Sequence, residues 1–178
     1  MAAAFFVDGH TEQRFIQSVC PGVPVQRLGI NGNTVSPEAI AKRAATQIRL
    51  LKGRNFPIVV LVDHEGRKLT PVEFAEQIQT ALVREGVVDE VRVCVARRMI
   101  ENWILADAEL IGWADPPPDV DSLHGAAVLK RVLGEYDKAG DGPALLKAAR
   151  ASVIAGRSPS FSYSSGLLGE IDCYWLRR

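Results

Sequence analysis

The chain has 178 residues, 21 basic and 21 acidic side chains, and a formal net charge of zero. With 47% hydrophobic and 24% charged residues, the composition is that of a globular chain long enough to bury a core, not of a disordered one. Neutrality argues against unspecific coating of nucleic acid and leaves only local basic patches, on Lys42, Arg43, Arg49, Lys52 and Arg54 or at Arg97–Arg98. The first group reads as a solvated helix face.

Strand and helix patterns alternate from the start. Apolar runs at Ala3–Val7, Val25–Ile30, Pro57–Val62 and Val91–Ala96 predict short strands buried on both faces. Thr11–Val19, Pro37–Leu51 and Pro71–Arg84 predict the intervening helices. Thr11 and Ser36 suit N-caps, the pairs Ser36-Pro37 and Thr70-Pro71 suit helix starts, and Gly53 and Gly86 suit helix ends. The implied fold is α/β, an open, mainly parallel sheet of about four strands flanked by helices. After Ala96 the pattern changes: a helix over Arg98–Ala106 with an Ile100, Trp103 and Ile104 stripe, the proline-rich "ADPPPDVDS", then helices over Gly125–Tyr136 and Pro143–Ile154. The expectation is one domain over residues 1–178, with a core at 1–112, a connection at 113–124 and a helical C-terminal segment at 125–178.

Cys20, Cys94 and Cys173 lie far apart without CxxC spacing, which excludes a zinc ribbon and a thioredoxin-like motif. Their odd number reads as free thiols in a reducing, cytoplasmic location. No apolar run approaches the ~20 residues that span a bilayer, and the opening apolar stretch stops at Val7 with no basic region before it, unlike a signal peptide.

In open α/β sheets ligands bind beyond the carboxyl ends of the strands, so acids are best read there. Asp8 follows the first strand and Glu12 stands four residues on. "VVLVDHEGR" ends the third strand with Asp63 and Glu65, two residues apart, and "ARRMIENW" carries Glu101 past the fourth. Such a cluster repels itself unless a cation neutralises it, and oxygen donors of this kind suit Mg²⁺. Blander readings stand beside this one. Asp8-Gly9 is a common turn pair, Glu12 suits a helix dipole, Asp63–Gly66 forms a polar turn and Glu101 faces solvent. Asp107 reads as the N-cap of a new short helix. His10, His64 and His124 share no metal-ligand spacing and suit surface or turn roles. P-loop, Rossmann and nucleophile-elbow motifs do not occur.

"VDGHTEQRF" resembles the first motif of Toprim-type domains in the branch of OLD-type nucleases and RloB-like proteins. "VVLVDHEGR" falls where that fold carries Asp-x-Asp. "ARRMIENWILAD", "YDKAGDGP" and "SPSF" are similar to small bacterial proteins of domain-of-unknown-function family 4276. The resemblance spans Phe5 to about Phe161. It implies Mg²⁺ or Mn²⁺ held by Asp8, Glu12, Asp63 and Glu65, with Asp8 as general acid or base. It further implies that Glu101 supports a second ion or shapes the site, and that Lys138 contacts phosphate or developing charge. Two positions depart from the pattern: Asp8 stands where the family has Glu, and Glu65 where it has Asp. The expected activity is a phosphodiesterase acting on nucleic acid in bacterial defence or genome maintenance. The alternative is a non-catalytic module working beside a partner protein. A third reading is a flavodoxin-like regulatory domain with Asp63 as phospho-acceptor. Oligomeric state stays open, and the apolar tail from Gly166 suits docking on the core or on a second subunit.

Overall fold

The computed structural model describes residues 2–30, 32–171, 173 and 175. Strands β1 (Ala4–Val7), β2 (Val25–Arg27), β3 (Ile58–Asp63) and β4 (Val91–Ala96) form one parallel sheet in the order β2-β1-β3-β4. Helices α1 (His10–Val19), α2 (Pro37–Leu51) and α3 (Pro71–Arg84) are the crossovers, so the α/β expectation holds. Alternation along the strands feeds two cores. Phe5, Val7, Val59 and Leu61 face α1 and the C-terminal helices, whereas Ala4, Phe6, Ile58 and Val60 face α2 and α3. Burying one Phe of this kind contributes about 2–3 kcal/mol. A run apolar at every position therefore makes a strand covered on both sides.

Ser36 and Thr70 cap α2 and α3 through their side chains, accepting from the N–H groups of Ala39 and Glu73. Thr11 does not cap α1. Gly9 is the N-cap, and the Glu12 carboxylate accepts its N–H at 3.0 Å. β2 stops at Arg27, short of Ile30, because Gly29 takes a positive φ of 66° and turns the chain away.

The C-terminal segment is more broken than its periodicity suggests. α4 spans only Glu101–Ala106 and is wholly buried. A 3₁₀ turn (Val120–Ser122) closes the proline-rich connection. Helices α5 (Gly125–Leu133), α6 (Asp141–Ala148), α7 (Ala151–Arg157) and α8 (Pro159–Leu168) follow. The break between α6 and α7 has a tertiary cause: the Asp107 carboxylate accepts from the Arg150 N–H at 2.9 Å and from its Nε at 3.0 Å. Asp107 thus caps a distant helix across space and starts none of its own; residues 108–112 form turns. Burial opposes its charge, yet the Arg150 guanidinium holds its pKa below the ordinary value.

Cys20 and Cys173 form a disulfide with Cα atoms 4.8 Å apart, which corrects the free-thiol expectation; Cys94 is free and buried. No periodicity links residues 153 positions apart, so only the fold brings them together. Leu168, Ile171, Cys173 and Trp175 dock on the chain's own core, where Trp175 donates to the Ala149 carbonyl and packs edge-on against Phe15. The remaining calls on the tail fall on residues 172, 174 and 176–178, outside the described residues. No helix among those described is long and apolar enough to cross a membrane.

Candidate functional site

The strand order changes direction between β1 and β3, the switch point where such sheets open a crevice at their carboxyl edge. The predicted acids gather there. Asp8 leaves β1, Glu12 sits in the first turn of α1, Asp63 is the last residue of β3, and Glu101 opens α4. All four are buried, and Glu101 is wholly inaccessible, so its reading as a solvent-facing helix residue fails. A cleft of about 400 Å³ is lined by Asp8, Glu12, Asp63, Glu65 and Lys138.

Each acid is positioned by backbone. Asp63 Oδ1 accepts the Ile100 N–H at 2.8 Å, which ties β3 to the start of α4. Glu65 has a positive φ of 55°, and its N–H donates to the Arg98 carbonyl at 2.8 Å. Lys138 comes from the loop between α5 and α6. That loop is pinned to α1 by the Thr11 hydroxyl, which donates to the Lys138 carbonyl at 3.0 Å, and by Arg14, which donates to the Ala139 carbonyl at 2.8 Å. Lys138 Nζ stands 3.1 Å from Glu101 Oε1. Gly125 lets α5 approach α4 closely: a Cβ there would lie 2.8 Å from the Glu101 Cβ and 2.9 Å from the Asn102 nitrogen.

Electrostatically the cluster is short of positive charge. Burial, then repulsion from Glu12 and Glu65, pushes the Asp8 pKa from 3.8 up to about 7. Burial raises Glu12, and burial with repulsion from Glu12 and Glu101 raises Asp63 well above its ordinary value. Burial works against the charge of Lys138, but Glu101, Asp63 and Glu12 outweigh it and raise its pKa. Asp8 Oδ1, Glu65 Oε2 and Glu101 Oε2 have no hydrogen-bond partner among the described residues, and Glu101 Oε1 meets Lys138. Their hard oxygens fit a divalent cation that keeps several waters. They do not form a finished cage: among the described residues, no three His, Cys, Asp or Glu side chains stand together as a metal-binding group.

The histidines take structural roles. His64 is buried, which lowers its pKa, and its Nε2 pairs with the Leu69 carbonyl; His124 caps α5; His10 meets Arg27. Arg67 escaped the sequence reading. It donates to the carbonyls of Gly32, Asn33 and Val35 at 2.7 Å each and lies over the Phe74 ring, holding the segment after β2 beside the site. Its place directly after "DHEG" was the available signal. "SPSF" also has a role: Ser158 caps α8 and, with the Ser160 N–H, donates to the fully buried Asp121 carboxylate.

The family model described as "Domain of unknown function (DUF4276)" matches residues 7–163. The chain belongs to the DUF4276 family. The match starts just before Asp8 and ends within α8, so the DUF4276 unit includes every acid of the cluster and the Lys138 loop. No curated protein and no solved structure matches the chain.

Proposed function

We propose that this DUF4276 protein is a Toprim-like phosphodiesterase of nucleic acid that works with Mg²⁺ or Mn²⁺. The observation that carries the reading is the carboxylate cluster at the sheet's switch point: four buried acids face a single pairing lysine, and burial with mutual repulsion raises the proton affinity of Asp8, Glu12 and Asp63. A cluster so arranged gains most from a dication. Glu12, Asp63 and Glu65 would hold the ion, with Asp63 oriented by the Ile100 N–H. When bound, such an ion polarises a phosphoryl oxygen and acidifies water. With its pKa at about 7, Asp8 is poised to accept or return a proton near neutral pH. Lys138 is half-exposed over the cleft and offsets charge that develops on the phosphate.

A second reading, a non-catalytic module acting beside a partner protein, draws on the Lys138–Glu101 pair, which already supplies part of the missing positive charge. Calorimetric titration of Mn²⁺ into the native chain, Asp63→Asn and Glu12→Gln separates the two. Asp63→Asn keeps an acceptor for Ile100, so a change in binding reports charge and not collapse of α4. Saturable binding, weakened at least about tenfold in both variants and accompanied by metal-dependent cleavage of DNA or RNA, supports the enzyme. Absence of binding at millimolar Mn²⁺ favours the module.

A further inference from the structure

A second cleft, of about 320 Å³, opens on the same sheet edge at the ends of β3 and β4, lined by His64, Arg67, Thr70, Arg97, Arg98 and Ser122 among others. Its wall is shared with the carboxylate cleft. The turn over residues 64–67, with Glu65 and Gly66 at positive φ and the Arg67 N–H donating to the His64 carbonyl, places Asp63 and Glu65 on the acidic cleft and His64 and Arg67 on the other. The strand ends are locked together there, since His64 N–H donates to the Ala96 carbonyl and Glu65 N–H to that of Arg98.

The cleft is cationic and its donors are largely unspent. A guanidinium has five N–H donors. Arg97 uses only Nη1, shared between the Asp119 oxygens at 3.0 Å each, and Arg98 uses only Nη1, on the Ser122 carbonyl at 3.1 Å, among the described residues. Arg67 is fixed in the wall by its three carbonyls. The N-terminus of the 14-residue α3 reaches the cleft through Thr70 and Pro71, but the Thr70 N–H there is taken by the Glu73 carboxylate at 2.8 Å, so the arginines supply the positive charge. Asp121 also lines it, but both its oxygens are engaged by Ser158 and Ser160. Arginine forks in an open polar cleft fit phosphate, which they can grip bidentately.

We propose that this cleft seats a backbone phosphate of a nucleic-acid strand whose neighbouring phosphodiester lies at the carboxylates. The proposal rests on the phosphodiesterase reading and adds to it a second, phosphate-holding subsite: two sites of opposite charge, separated by one loop, need a ligand with phosphates in series. A single small anion would fill only one of them. The strand then runs along the sheet edge from the β3–β4 ends toward β1. The acidic cleft repels a bare phosphate, so the arginines supply the first hold.

Fluorescence anisotropy with a labelled single-stranded oligodeoxynucleotide, in chelator and low salt, tests this with no divalent ion present. A failed Mn²⁺ titration therefore leaves the result standing, and the two readings can fail separately. Arg97→Ala with Arg98→Ala should weaken binding at least about tenfold and flatten the log–log salt dependence by about 0.7, the value for one lost phosphate contact on a single strand. The equally charged control, Arg49→Ala with Arg84→Ala on the far exposed ends of α2 and α3, should bind like the native chain. Asp119→Asn frees the Arg97 fork and should tighten binding, a gain that misfolding cannot mimic. Equal losses in both arginine pairs, no gain from Asp119→Asn, or no binding by the native chain overturns the proposal. A mononucleotide that competes as well as the unlabelled strand also overturns it, in favour of a small-anion site.

Discussion

Asp8→Asn should make this protein more stable at alkaline pH, although it removes a residue placed at the centre of the site. Asp8 is buried, and burial together with Glu12 and Glu65 takes its pKa from the ordinary 3.8 to about 7. Between those values the native state holds a proton that the unfolded chain has released, so stability is greatest below pH 4 and falls as pH rises toward 7. At about 1.4 kcal/mol for each tenfold change in proton affinity, the loss from this one group approaches about 4 kcal/mol. Asparagine keeps the shape and carries no charge, so it escapes that loss. For a chain of this length 1 kcal/mol moves the Tm by about 2–4 °C, which sets the gap between variant and native protein at about 8–16 °C at pH 8. At pH 4 the two should melt together. The assay is thermal unfolding in chelator across that range. A variant no more stable than the native chain at pH 8, or equally more stable at pH 4, refutes the argument that Asp8 is strained by uncompensated negative charge.

The other expectations test the supports of the site. Lys138→Met leaves Glu101 buried without its ion pair and should cost about 2–3 kcal/mol at pH 8 in urea titrations, below the full cost of breaking a buried pair because the lysine is half-exposed. Gly125→Ala forces a methyl against Glu101 and the Asn102 backbone, so a loss of about 1–3 kcal/mol is expected by the same titration, with weaker Mn²⁺ binding if Glu101 shifts. Reducing the Cys20–Cys173 disulfide releases Cys173 from the end of α1 and should cost about 2–5 kcal/mol. Calorimetric scans with and without dithiothreitol read that loss, and Cys20→Ser should reproduce it.

How much of this was legible beforehand differs element by element. The four strands and the starts of α2 and α3 were readable because their signals are local: two-sided apolar runs, and a Ser-Pro or Thr-Pro at the cap. Asp8, Glu12, Asp63 and Glu65 were readable as a group because a parallel sheet carries every strand's carboxyl end to one edge. The helical region after Ala96 was read too simply. A continuous helical pattern runs from Pro143 to Ile154, but it is interrupted where Asp107 reaches Arg150. α8 was missed because its packing face is poorly segregated, and Ser158, Ser160, Phe161 and Ser164 are all buried.

The amino-acid sequence by itself determined the class of fold, the edge on which chemistry could occur and the residue types available there. These follow from periodicity and chain direction, which need only neighbours in sequence. Tertiary structure alone decided that Glu101 is buried and paired with Lys138 and that Cys20 meets Cys173. It alone placed Thr11 on the lysine loop and set an arginine cleft beside the acidic one. Each of these depends on groups tens of residues apart, or more, being desolvated together. Charge, burial and partner then act as one free energy that no local pattern contains.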